Sequence, residues 1–282
     1  LNTVNAFLFA IASIPNCQER VQCLLLRATF HEECARIRQT LCDFQSDCEQ
    51  VEHNGHFLLL LAYVLEIGNY LNGSSARGGA CGFHLEILPQ LERTKTSNND
   101  LSFIDYLVKK LIQEKPEVLQ VVTEFEPLAR RTELSLEDIN SSVCALGSSL
   151  FKMKKELEKP AVCEEDHFNE QMASFCAKAN EEVAALREEF AKTQQGYAAL
   201  CARFGENAKT VKSTEFFGYI VTFLSVVKQS HKHLLDLQAE EKLKKVALDW
   251  KNLAAAQSHK STEQAGKDEV AGKDEVAGRE VP

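Results

Sequence analysis

The residues with chemical potential in this chain are ten cysteines, eight histidines and one glycine-rich loop, and their spacing argues against catalysis. The cysteines stand at 17, 23, 34, 42, 48, 81, 144, 163, 176 and 201, with no Cys-x-x-Cys pair. Neither a zinc site nor a dithiol redox motif is therefore offered, and buried, reduced thiols are expected. His31-Glu-Glu-Cys34 lacks the second histidine of a metalloprotease helix. His53 and His56 straddle Asn54-Gly55, and His231 and His233 point to different faces of one helix. Two ligands without a third do not make a metal centre. The loop from Gly73 to Gly82 has no Gly-Lys-Ser/Thr and follows no strand, so it is not a nucleotide cradle. No cofactor and no enzymatic activity are expected. A Cys/His enzyme remains the weakest alternative, since a triad can assemble from residues distant in sequence.

The elements that carry these residues read as helices almost throughout, an all-α class. Phe30, Cys34, Ile37, Leu41, Phe44, Cys48 and Val51 recur at 4-3-4-3-4-3, a heptad seam on one long helix that Asn54-Gly55 ends. A second seam runs Leu136, Ile139, Val143, Leu146, Leu150, Met153 and Leu157, entered through a cap at Ser135-x-x-Asp138 and stopped at Lys159-Pro160. A third helix places Phe168, Met172, Phe175, Ala179, Val183, Leu186 and Phe190 on one face and continues towards Tyr197 and Phe204. A fourth starts near Ser213 and carries Phe216, Ile220, Leu224, Val227, His231 and Leu234. Seams of this length bury themselves only against each other, so the expected architecture is an elongated helical bundle with long coiled-coil-like helices.

Between the first two seams lies the most informative stretch, LLAYVLEIGNYLNGSSARGGACGFHLEILPQL. A helix rich in Leu and Val runs into Gly68, where a side chain would block close approach of another backbone or side chain. Asn72 and Gly73 are expected to supply left-handed conformers that end it. Gly68, Asn69, Tyr70, Asn72 and Gly73 thus form a small aromatic ledge, either a receptor for a hydrophobic anchor or simply a well-packed helix end. Arg93, Lys95 and the later Lys109-Lys110 make a basic cluster, with Lys95 held in a solvent-facing turn of Thr, Ser and Asn.

The net charge of −9, with both signs interspersed, does not fit a nucleic-acid partner. No apolar run reaches the length of a membrane span and no signal peptide is visible; the longest, Phe57 to Val64, suits a buried helix. From Leu237 to Gln257 the pattern is charged and Ala-rich, a helix projecting beyond the core. Residues 259–282 then repeat Ala-Gly-Lys-Asp-Glu-Val, too charged and too poor in aromatics to bury a core, and are expected to be disordered.

GNYLNGSSARGGACGF followed by LPQLERTKTSNNDLSFIDYLVKKL resembles the signature of the formin homology-2 domain, the actin-assembling module of formins. Upstream SIPNCQERVQCLLLRATF and downstream FGENAKTVKSTEFFGYIVTFL resemble flanking segments of the same family, so the likeness runs in order from Leu1 to His233. The resemblance implies that residues 1–236 hold the end of the knob, the helical bundle and the post. It implies that Gly68, Asn69, Tyr70, Asn72 and Gly73 receive an aromatic lasso from a second subunit in a head-to-tail ring. It also places Lys95 where formins contact actin, with Arg93 as a second candidate. The implied activity is filament nucleation and barbed-end elongation by a ring-like homodimer, in the cytoplasm and cytoskeleton. An acidic chain does not by itself attract acidic actin, so that contact needs the local basic patch.

The resemblance begins in mid-domain. No proline-rich tract is present, so profilin is an indirect partner only. The lasso, its linker and the first half of the knob are also missing, and Trp250 lies at the wrong end to serve as lasso anchor. The chain is therefore expected to be an incomplete version of the domain, with dimerisation in doubt for it alone. The alternative is a non-catalytic helical scaffold that has lost actin assembly.

Overall fold

A computed structural model describes residues 2–12, 14–73, 75, 78–94, 102–160 and 166–274, with side chains up to residue 250 apart from 8 and 10. Among the described residues there are nine α-helices, two 3-10 segments and no strand. The helices are α1 (Thr3–Ala12), α2 (Cys17–His53), α3 (Gly55–Asn72), α4 (Phe103–Glu114), α5 (Val121–Glu124), α6 (Glu126–Arg130), α7 (Leu136–Leu157), α8 (Phe168–Arg203) and α9 (Ser213–Asp274). The 3-10 segments are Leu85–Arg93 and Pro116–Gln120. By contact the chain divides into two units, Leu1–Val227 and Lys228–Pro282.

In the first unit the long helices α2, α7 and α8 form a three-helix bundle. Ion pairs and hydrogen bonds step along α2 and α8 together: Arg20 with Asp166 at 2.7 Å, Arg38 with Glu182 at 2.9 Å, Gln45 with Thr193 at 2.6 Å and Glu52 with Arg203 at 2.8 Å. Numbers rise in step, so α2 and α8 run parallel. α7 runs against both, its start beside Arg36–Thr40 and its end beside Gln18–Thr29. The seams read from the sequence are the core: Phe30, Cys34, Ile37, Leu41, Phe44 and Val51 of α2 are buried, as are Leu136 through Met153 at their heptad spacing on α7. Each buried side chain of this size contributes about 1.5–3 kcal/mol.

Some seam positions differ from the expectation. Leu157, Phe168, Phe175 and Phe190 are only half-buried, while Asp47, Glu156 and Thr193 are buried polar groups. Asp47 is held by the Arg131 guanidinium, which donates to both of its carboxylate oxygens, and Glu156 pairs with Lys159. A helix flank beside a neighbour's arginine or lysine tolerates a carboxylate because the charge is paired. The cysteines also divide: Cys23, Cys34, Cys176 and Cys201 are buried, but Cys42, Cys81 and Cys144 are exposed, against the expectation of buried thiols throughout. All nine described cysteines are free. Burial pushes the Cys34 thiol up to about 11 and that of Cys48 to about 12, which makes them inert at neutral pH.

A second layer of short elements packs beyond the bundle. Phe57, Leu60, Val64 and Ile67 of α3 are buried, as are Leu85, Leu88, Leu107, Leu111, Val118, Val121 and Phe125 of the segments around it. Phe57 links the two layers, 5.1 Å from the Phe125 ring and 6.3 Å from that of Phe204. The break between α2 and α3 is made by one residue. Asn54, extended at φ −69° and ψ 108°, ends α2 through its N–H to Gln50. Its side-chain oxygen then accepts the Phe57 N–H at 2.8 Å, starting α3. Its amide nitrogen donates to Glu124 at 2.7 Å, so the corner is tied to α5.

The first turns of α9, Ser213 to Val227, belong to the first unit and bury Phe216, Phe217, Ile220, Phe223, Leu224 and Val227. The rest of α9 lies in the second unit, with Leu243, Val246, Leu248 and Trp250 exposed. The helix reaches Asp274, so residues 259–274 are helical where the sequence composition suggests disorder. Ala, Lys and Glu, half of each repeat, favour helix without needing a core. Residues 275–282 lie outside the described residues.

Candidate functional site

α3 has two apolar faces. The first, Phe57, Leu60, Val64 and Ile67, is in the core. The second, Leu58, Leu61, Ala62 and Leu65, lines a groove of about 520 Å³. The other walls are Gly82, Phe83, His84 and Leu85, which follow the glycine-rich loop, and Arg203, Phe204 and Gly205 at the end of α8. A continuous Leu-rich helix supplies both faces because residues three and four apart share a side, and this run has leucine on more than one.

Three devices hold the groove open. Asn69 makes a two-bonded clasp with Ala80: its amide nitrogen donates to the Ala80 carbonyl at 2.9 Å and its oxygen accepts the Ala80 N–H at 2.8 Å. The returning chain is thereby pinned along the last turn of α3. Gly73 turns the chain out of the helix at φ 51° and donates its N–H to the Asn69 and Tyr70 carbonyls. Glu206 fastens the far wall. Gly205, at φ 73°, reverses the chain at the end of α8, and the Glu206 carboxylate then accepts the Leu85 N–H at 3.0 Å. His84 Nδ1 lies 3.2 Å from the same oxygen. Glu206 thus caps the 3-10 segment Leu85–Arg93 from 121 residues away.

The sequence-selected residues divide between two faces. Gly68, Asn69 and Asn72 follow Leu65 by three, four and seven residues and share the groove side of α3. Tyr70 is 81% exposed and lies about 100° round from Asn69. It shares with Tyr63 and Glu66 a third face of α3, away from the groove. Two expectations are corrected: Asn72 is the last helical residue and has no positive φ, and Gly73, at φ 51° and ψ −130°, supplies a positive φ without being left-handed helical. At Gly68 an added Cβ would meet nothing within 4 Å in this chain, so its openness is not required by internal packing.

The basic cluster is less uniform than its composition suggests. Arg93, the last residue of its 3-10 segment, and Lys109 are exposed. Lys110 is already engaged, 3.3 Å from Glu66 and over the Tyr63 ring at 5.5 Å. Its hydrogen bond to Glu66 raises its pKa. Lys95 lies outside the described residues. Leu58, Leu61, Leu65, Phe83, Arg203 and Glu206 were not singled out from the sequence. The signal for them was the second leucine stripe on α3 and the Phe204-Gly205-Glu206 triplet, whose partner is distant in the chain.

Among the described residues no helix is long and apolar enough to cross a membrane, and no group of His, Cys, Asp and Glu is placed to hold a metal ion. The Formin Homology 2 Domain family matches residues 1–228. The chain is 27% identical over 274 residues to Formin-F of Dictyostelium discoideum, covering 95% of this chain and 22% of that protein. It is 25% identical over 248 residues to Protein diaphanous homolog 3 of Homo sapiens, covering 86% and 20%. It is 30% identical over 261 residues to Formin-2 of Homo sapiens, covering 86% and 15%. The chain therefore spans between 15% and 22% of the length of these curated relatives. With a family match over four-fifths of its length and an all-helical fold, the chain belongs to the formin homology-2 family.

Proposed function

We propose that this chain is an actin-binding module of a formin, promoting filament nucleation and barbed-end elongation as part of a ring-like dimer. The observation that carries the reading is the apolar groove on α3, walled by Leu58, Leu61, Leu65 and Phe83. An open apolar groove of this size suits one aromatic anchor from another chain. The anchor is the lasso of a second subunit, received beside Gly68, Asn69, Tyr70, Asn72 and Gly73. Arg93 and Lys95 contact actin. The mechanism is differential binding of filament conformations by two bridging halves, with no covalent step. Profilin enters only through a proline-rich region outside this sequence, and the site of action is the cytoplasmic actin cytoskeleton.

The test is pyrene-actin assembly with this chain and with the same chain extended upstream through a knob and lasso. Acceleration by the extended form, abolished by Leu61→Asp in the groove, supports the reading. No acceleration by either form turns the assignment to a helical scaffold without actin assembly.

A further inference from the structure

The layer that carries the groove leaves the bundle and returns to it at two points, and both are locked to one stretch of α2. It leaves at Asn54, between α2 and α3, and returns at Arg131, between α6 and α7. At the first point the Asn54 amide donates to the Glu124 carboxylate at 2.7 Å, and the Gln50 amide donates to the Glu124 carbonyl. At the second the Arg131 guanidinium holds Asp47. Its Nε donates to one carboxylate oxygen at 3.2 Å and a terminal nitrogen donates to the other, with Asp43 3.7 Å away. Asp43, Asp47, Gln50 and Asn54 follow one another at four, three and four residues, so they share one side of α2.

Asp47 stands in the core stripe of α2, 2% exposed, three residues after Phe44 and four before Val51. The heptad has an apolar side chain at such a position. A buried ion pair seldom stabilises more than well-packed apolar side chains of similar volume, because both charges lose their hydration. What the pair supplies here is direction. A planar guanidinium bonded to both oxygens of one carboxylate fixes angle as well as distance, which an apolar contact does not. The groove makes that angle matter. Leu58, Leu61, Leu65 and the Gly82–Leu85 wall belong to the layer, whereas Arg203, Phe204 and Gly205 belong to the end of α8. A layer pivoting at Asn54 would widen or narrow the groove between them. We propose that Arg131 is a positioning residue that sets the width of the α3 groove by locking the returning chain to Asp47. Its effect on lasso capture rests on the groove being the receptor proposed above.

Arg131→Met alone strands a buried carboxylate and destabilises the fold, so it does not separate orientation from stability. Asp47→Leu combined with Arg131→Met removes both charges together and fills the stripe. The full chain carrying both changes is expected to keep its Tm within a few degrees of the parent. Its Leu85 amide, which bonds Glu206 at 3.0 Å and so joins the layer to the end of α8, should exchange about tenfold faster. Binding of a tryptophan-anchored lasso peptide, read by anisotropy, should weaken about tenfold in parallel. Unchanged Leu85 exchange in the double variant would overturn the proposal, as would capture at the parental affinity. Faster exchange spread evenly over the bundle with a falling Tm would also overturn it, because the pair would then be structural only. Faster exchange confined to Leu85, with no peptide bound even by the parent chain, supports the lock on the groove and removes the receptor reading instead. Leu61→Asp, in the groove and away from the lock, checks that second arm: it should abolish capture and leave Asp47 and Arg131 paired.

Discussion

Replacing Glu206 by alanine tests whether the far wall of the groove depends on one carboxylate. The side chain is 11% exposed and accepts the Leu85 N–H at 3.0 Å, with exposed His84 at 3.2 Å. A hydrogen bond to a charged group is worth about 1.5–3 kcal/mol, and truncation leaves a half-buried backbone N–H without its acceptor. The His84 contact, on a ring 64% exposed, adds at most about 1 kcal/mol. The expected loss is therefore about 2 kcal/mol, or about 4–8 °C in Tm for a unit of this size. Glu206→Gln keeps an acceptor and loses only the charge, so its expected loss is about 1 kcal/mol or less. Denaturant unfolding gives the stability, and amide exchange locates it. The Leu85 amide should exchange about 25-fold faster in Glu206→Ala if the 2 kcal/mol is local. Capture of a tryptophan-anchored lasso peptide should weaken in parallel, because His84 and Leu85 form one wall. Unchanged stability together with an unchanged Leu85 exchange rate would refute the capping argument.

Other outcomes follow from the same geometry. In Gly68→Val the added Cβ meets no atom within 4 Å and the change relieves a helical glycine, so stability should hold or rise by a few tenths of a kcal/mol while lasso-peptide capture, read by anisotropy, is lost. Retained capture would remove Gly68 from the receptor. Lys95→Ala and Arg93→Ala should reduce co-sedimentation with actin while shifting stability by less than about 0.5 kcal/mol; unchanged actin affinity would exclude each residue from the contact. Glu124 is held below its ordinary value of 4.5, first by the Asn54 amide and then by His56. A depressed carboxylate contributes stability above its unfolded pKa and loses it as pH falls through the folded one. Glu124→Gln should therefore flatten the acid limb of the stability curve below about pH 4.5, and an unaltered limb would show that the α2–α3 corner does not contribute to it.

The sequence by itself determined the helical class and the core of the bundle. Phe30, Ile37, Leu41 and Phe44, or Ile139, Val143, Leu146 and Leu150, repeat at the helical period, and an apolar stripe of that length has no stable place except against another. Local signals were equally readable where one residue decides the backbone: Ser135 caps α7 by accepting the Asp138 N–H, and Asn54 divides α2 from α3. The ledge at Gly68–Gly73 was visible as composition, but its division into a groove side with Asn69 and an outer face with Tyr70 was not. That division depends on which of two leucine stripes the core takes, and both have the same period.

Tertiary structure alone decided the rest. Glu206 reaches Leu85, Arg131 reaches Asp47, and Glu52 meets Arg203, pairings between residues that are far apart in the chain. A charged residue read in sequence looks solvated, because nothing local marks the partner that will desolvate it. Lys110 illustrates the converse, a lysine counted in a basic cluster whose charge Glu66 already partly balances. Periodicity specifies which face is buried; only the packing of parallel α2 and α8 against antiparallel α7 specifies what each face meets.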